Sequence, residues 1–195
     1  MDLAKLKNEI AKRMPMQRYE HVIRVMETAK ALAEKHHLQV DKAVQAALFH
    51  DIAKFMDKET LSLVMKRENV DYRLLSFHHE LWHGPVGAII ACAEYGVTDE
   101  DTLNAIRFHT TGRAGMSLLE KLIYVADMIE PGRTFSGVEH LRALAEVDIH
   151  KAMGACIHQS VQFLVTKRVP VFPDSIDCYN EHIMSTINLK GRVKE

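Results

Sequence analysis

Ala46-Ala47-Leu48-Phe49-His50-Asp51-Ile52-Ala53-Lys54 sets a histidine and an aspartate side by side among apolar residues. Asp41 can cap a helix that runs through Ala43, Ala47 and Leu48 to about Lys54, which puts the pair near its C-terminal end. Neighbours on a helix point about 100° apart, since a turn takes 3.6 residues. Two adjacent ligands therefore grip one ion only in the wedge between them. A carboxylate has two oxygens, so Asp51 can face a different ion through each and bridge a pair. Alone, a His-Asp pair is as readily a capped or salt-bridged surface feature; residues elsewhere in the chain have to decide.

Outward from that stretch, helical periodicity dominates. Val22, Val25, Met26, Ala29, Leu32 and Ala33 recur at three- and four-residue steps, which predicts a helix over about 16 to 37 with Pro15 at its start. A shorter helix precedes it over about 2 to 14, and another covers about 58 to 67. His83-Gly84-Pro85 opens a helix through Val86, Ile89, Ile90 and Ala93, with Gly96 as its stop. Thr98 and Asp101 resemble a capping box before a helix reaching Phe108, and Ser117 with Glu120 forms a better one before a helix ended by Pro131-Gly132. Two more helices fall near 138 to 146 and 149 to 167. After an extended connector from Val169 to Pro173, a last helix covers about 174 to 188, followed by a frayed basic tail. No strand alternation, repeat or long linker interrupts this pattern. The expected fold is all-α, a single helical bundle with mixed crossing angles, because the helices vary too much in length for a regular up-down bundle.

Composition removes several function classes. The formal net charge is −1, which gives no global electrostatic case for a nucleic-acid or anionic-membrane partner. No window approaches the length of a transmembrane helix, and the N-terminal segment alternates apolar with charged residues, unlike a signal peptide. The 3 cysteines, Cys92, Cys156 and Cys178, are widely spaced and form no CxxC pair, which fits a reducing cytosol and argues against a thiolate zinc site. Histidine is the enrichment: the chain has 12, and imidazole is the commonest metal ligand.

Four further residues join the pair. His21 lies in the middle of the second helix beside its apolar stripe. His83 stands at the Gly-Pro helix start. His109 ends an apolar helix before Thr110-Thr111-Gly112-Arg113. Asp127 sits in Tyr124-Val125-Ala126-Asp127-Met128-Ile129, where a buried carboxylate needs a counter-charge from an ion or a basic side chain. Four imidazoles and two carboxylates exceed what one catalytic ion with an open position needs, and they suit two ions bridged by Asp51. Nitrogen-plus-oxygen ligation suits iron, manganese, zinc or nickel better than magnesium or calcium. Glu130 can orient a ligand or a cation. The remaining histidines read as solvated or structural, with His78 and His79, close before His83, the least secure in that role.

In this order, His21, His50-Asp51, His83, His109 and Asp127 resemble the ligand series of HD-domain metal-dependent phosphohydrolases, and His83 with His109 resembles the two-metal branch. The stretch from His109-Thr110-Thr111-Gly112-Arg113 through Leu119-Glu120-Lys121 to Ala126-Asp127-Met128-Ile129-Glu130-Pro131-Gly132-Arg133 is similar to the bacterial YqeK family of symmetrical bis(5'-nucleosyl)-tetraphosphatases. The likeness covers about residues 10 to 180 and departs at Tyr179, where the family pattern has an arginine before the asparagine that is here Asn180. It implies one HD domain over residues 1–195, with a core of about 16–130 and the C-terminal helices packed on it. It also implies hydrolysis of diadenosine tetraphosphate and similar dinucleoside tetraphosphates to two nucleoside diphosphates by a metal-bridged hydroxide. Asp51, Lys54 and Arg113 would be catalytic, and Lys54, His83, His109, Arg113 and Arg133 would contact substrate. The implied cofactors are two divalent ions, iron first, with manganese, zinc, nickel or cobalt as alternatives. A cytoplasmic homodimer acting on a small nucleotide is the expected setting. Another HD nucleotidase, a di-iron HD oxygenase and a nucleotide-binding module without chemistry are the rival readings.

Overall fold

The computed structural model of the protein describes residues 3–191, with side chains through Met184. Along the chain run α1 (Leu3–Ala11), α2 (Met16–Lys35), α3 (Val40–Phe49), α4 (Lys58–Arg67), α5 (His83–Tyr95), α6 (Glu100–Phe108), α7 (Leu118–Ile129), α8 (Val138–Val147), α9 (Ile149–Thr166) and α10 (Pro173–Gly191). Two short 3₁₀ turns, Tyr72–Ser76 and His79–Leu81, fill the connection between α4 and α5, where periodicity suggests no element. No strand occurs among the described residues, so the all-α expectation holds. Helix α10 reaches Gly191, beyond the expected 188, and the tail expected to fray falls at residues 192–195, outside the described ones.

Helix α7 is the axis of the bundle. Every residue from Leu119 to Ala126 is buried, so it is enclosed on all sides. It packs against α2, α3 and α6 on one side and α8 and α9 on the other. The α2 stripe of Val22, Val25, Met26, Ala29, Leu32 and Ala33 is buried as its spacing predicts, and α2 lies chiefly against α3. One hydrophobic cluster runs from Leu6 on α1 to Cys178 on α10.

Some helix ends match their local sequence signals and others do not. Ser117 and Glu120 form the full capping box of α7, and Gly96 closes α5 at φ 68°. Asp41 does not cap α3; the helix starts one residue earlier, after Gln39, and Asp41 lies in its first turn. Helix α6 is capped by Asp99 through the Thr102 amide, not by Thr98 with Asp101. Helix α3 ends at Phe49 rather than Lys54. From there the chain tightens into turns, with Ile52 N–H donating to Phe49 O and Lys54 N–H to Asp51 O.

Gly84 permits a close approach of two helix ends. A Cβ there would stand 2.7 Å from the carbonyl oxygen of Arg107. Only glycine lets the start of α5 lie this close to the end of α6, which brings His83 beside His109.

Candidate metal centre

The six side chains singled out from the sequence converge. His21 comes from the middle of α2, and His50 and Asp51 from the turn that ends α3. His83 is the first residue of α5, His109 caps the C-terminus of α6, and Asp127 lies on α7. His21, His50, Asp51, His83 and His109 are buried, and the Asp127 side chain is 18% exposed.

Each imidazole is aimed by a bond from its Nδ1. In His50 the acceptor is the carbonyl of Ala47 at 2.6 Å, in His83 that of Glu80 at 2.6 Å, and in His109 that of Ile106 at 2.8 Å. All three carbonyls lie three residues upstream. His21 Nδ1 instead donates to Glu130 Oε1 at 3.1 Å. Carbonyl and carboxylate oxygens only accept, so Nδ1 carries a proton, and Nε2, which bears the lone pair whenever the ring is neutral, faces the centre.

The inward atoms are too close to suit one another as bare acceptors. His83 Nε2 lies 3.0 Å from His109 Nε2, and His21 Nε2 lies 3.1 Å from Asp127 Oδ1. Asp51 divides its oxygens. Oδ2 is 3.0 Å from His50 Nε2 and 3.7 Å from His21 Nε2, whereas Oδ1 is 3.2 Å from His83 Nε2 and 4.0 Å from His109 Nε2. Among the described residues, the buried side-chain atoms without a hydrogen bond are Arg18 Nε, His21 Nε2, His50 Nε2, Asp51 Oδ1 and Asp51 Oδ2, all at this point. Orphaned acceptors gathered in one place fit cations. His21, His50 and Asp127 form one group with metal-ligand spacing, and His50, Asp51 and His109 form a second. The donor set therefore suits divalent metal ions.

Without an ion, the buried carboxylates draw positive charge onto the rings: burial opposes protonation of His50, but Asp51 outweighs it and raises its pKa. Burial alone would raise the Asp51 carboxyl, but His50 and His83 outweigh it and hold it well below the usual carboxylate range. Burial likewise opposes ionisation of Asp127, and His21, His50 and Arg133 together hold it low. His109 is pushed down to about 3 by burial and by the neighbouring His83 and His50, so its ring is neutral and available as a ligand at pH 7.

The three candidate cations rest on acidic partners, and of these partners only Asp127 belongs to the centre. Lys54, which lies beyond the end of α3, pairs with Glu80. Arg113 pairs with Glu120 at 2.6 Å, and Arg133 donates to Asp127 Oδ1 at 2.6 Å. Glu130, which sequence could only suggest as an orienting group, accepts from His21, from Arg24 at 2.6 Å and from the Gly132 amide at 2.6 Å. Burial works against its ionisation, but Arg24 and His21 hold its pKa below the ordinary glutamate range. Sequence reasoning missed Arg18 and Arg24. Both lie three residues from His21, and that spacing, which puts them on neighbouring faces of α2, is the signal that could have found them. Tyr179, at the departure from the family pattern, stacks on His158 with ring centroids 5.9 Å apart.

The sequence profile of the HD domain matches residues 18–132, a span that contains all six converging residues. The chain is 51% identical to the symmetrical bis(5'-nucleosyl)-tetraphosphatase of Bacillus subtilis, over 84% of this chain and 88% of that one. It is 38% identical to the protein of the same name from Staphylococcus aureus, over 97% of this chain and 99% of the other. Among solved structures, a predicted HD superfamily hydrolase involved in NAD metabolism from Clostridium acetobutylicum superposes with a TM-score of 0.90 at 37% identity, covering 95% of this chain and 98% of its own. By profile, relatives and fold alike, the chain belongs to the HD domain family and, within it, to the YqeK family of symmetrical bis(5'-nucleosyl)-tetraphosphatases.

Proposed function

We propose that this chain hydrolyses diadenosine tetraphosphate symmetrically. One water is added across the central phosphoanhydride, the P–O bond between the two middle phosphates breaks, and two adenosine diphosphates leave. The observation that carries the reading is Asp51, which offers Oδ2 to the side of His21 and His50 and Oδ1 to the side of His83 and His109. In this reading His21, His50, Asp51 and Asp127 would hold one divalent ion, and Asp51, His83 and His109 would hold the other. When bound, such ions would neutralise phosphate charge and lower the pKa of a bound water.

The chain's own residues do the remaining work. The Nδ1 bonds fix ring orientation in advance, and burial of five of the six ligands keeps bulk water out. Lys54, Arg113 and Arg133 are part-exposed, and in this reading they would trade Glu80, Glu120 and Asp127 for phosphate oxygens. Phosphoryl transfer asks mainly for positioning and charge stabilisation, and a nucleoside diphosphate leaves readily without a strong general acid. Iron is the metal assigned here, with manganese, zinc, nickel and cobalt able to use the same donors. No helix among the described residues is long and apolar enough to cross a membrane, and a cytoplasmic homodimer is the setting that goes with this reading.

The test is elemental analysis of protein purified without oxygen, paired with product identification. Two adenosine diphosphates formed anaerobically by the ferrous protein is the expected result. Adenosine monophosphate with adenosine triphosphate would indicate another cleavage pattern, and a requirement for oxygen would indicate an oxygenase.

A further inference from the structure

Lys121 takes no part in the metal centre. It lies on α7 six residues before Asp127, so the two side chains leave the helix about 120° apart and about 9 Å apart along its axis. Its Nζ reaches toward α9 instead and donates to His150 Nδ1 at 3.3 Å. Among the described residues Lys121 is the one buried lysine, 8% exposed, and no carboxylate pairs with it.

A buried ammonium whose only partner is an imidazole lacks a counter-charge, and burying an unpaired ion is costly. The acids nearby are committed elsewhere. Asp148 accepts from the His150 and Lys151 amides at 2.9 and 3.2 Å, which caps α9, and its other oxygen lies 3.5 Å from Lys151 Nζ. Glu181 on α10 accepts from the Gly115 amide at 2.6 Å. The bond from Lys121 also sets the imidazole: Nδ1 accepts, so the ring proton sits on Nε2 and makes it a donor. Lys121, His150 and Lys151 line an open cavity of about 740 Å³ between α7, α9 and α10, which is the size of a small-molecule site.

We propose that this cavity is an anion site, separate from the metal centre, that binds the phosphate group of a small phosphorylated metabolite between Lys121 and His150. Lys121 supplies the charge and His150 Nε2 a directed donor. Lys151, whose side chain is 68% exposed, can swing from Asp148 to a further oxygen. A phosphate has an oxygen for each of these three donors, whereas a carboxylate has only two. The inference does not rest on the proposed function.

The test is calorimetric titration of inorganic phosphate, with acetate for comparison, into manganese-loaded and chelator-treated protein, for wild type, Lys121→Met and His150→Ala, with metal content measured in parallel. Chelator-treated wild type is expected to bind one phosphate per chain, more tightly than acetate. Lys121→Met should weaken that binding at least about tenfold, and His150→Ala about 2- to 10-fold, the costs of losing a charged and a neutral hydrogen bond. His150 is an exposed helical residue, so its alanine variant keeps the fold and decides even if Lys121→Met does not fold. Loaded Lys121→Met should lose the same binding event and keep its manganese. Absence of phosphate binding by chelator-treated wild type overturns the proposal, as does wild-type affinity in either variant. Acetate binding as tight as phosphate overturns the choice of ligand, and loss of manganese from Lys121→Met overturns the separation from the centre.

Discussion

At the scale of single residues, the centre is fixed by groups one bond behind the converging side chains. Glu130 ties down His21 and is itself held by Arg24 and the Gly132 amide. Glu130→Gln should lower ion affinity about 10- to 100-fold, measured by competition with a chromogenic chelator, while the circular dichroism of the helices is unchanged. Asp51→Ala should lose both metal loading and activity with helical content intact; a fully active, metal-replete variant would refute bridging by Asp51. The cysteines allow a check away from the centre. Burial pushes the thiols of Cys156 and Cys178 up to about 12, whereas Cys92 is exposed. Native protein at pH 8 should therefore take up one iodoacetamide per chain, on Cys92, and mass spectrometry of the peptides would show any departure. The six converging residues were legible in the sequence because imidazoles and carboxylates stand out against apolar helices. The three-residue spacing from His21 marks Arg18 as a neighbour of the centre, but its contact with Asp51 depends on how α2 rotates against the end of α3, which spacing within one helix does not say.

Helix ends decide the geometry at the next scale. His50, His83 and His109 all sit at the boundary of a helix, where the chain departs from regular hydrogen bonding and a ring can bond back to a carbonyl three residues earlier. The sequence placed these boundaries within a few residues, but it extended α3 to Lys54 because apolar spacing continues through Ile52 and Ala53. Those two residues are buried by the turn, not by a helix. Two substitutions separate stability from site assembly. Asp99→Ala removes the cap of α6 and should cost about 1 kcal/mol, a fall of about 2–4 °C in melting temperature, with metal content unchanged. Gly84→Ala puts a methyl group against the Arg107 carbonyl and should force α5 from α6. Bound metal should then drop from two ions per chain toward one, because His83 and His109 part; a full complement of ions in Gly84→Ala would show that the close approach is dispensable.

On the scale of the whole molecule, the six converging side chains come from five helices or their ends, so ions at the centre would join segments more than a hundred residues apart in sequence. Binding to the folded state alone stabilises it by mass action, about 2.7 kcal/mol at a free ion concentration 100 times the dissociation constant. Chelation should lower the melting temperature by about 5–10 °C, and restoring the ion should return it. A melting temperature indifferent to chelator would mean that the ions tie nothing together. The back-bonded imidazoles carry a last implication. Three of the four rings are braced by their own backbone, and the fourth by a glutamate, so the prongs of this socket keep their aim whichever ion comes or goes. Exchanging one divalent ion for another should then need no refolding of the chain.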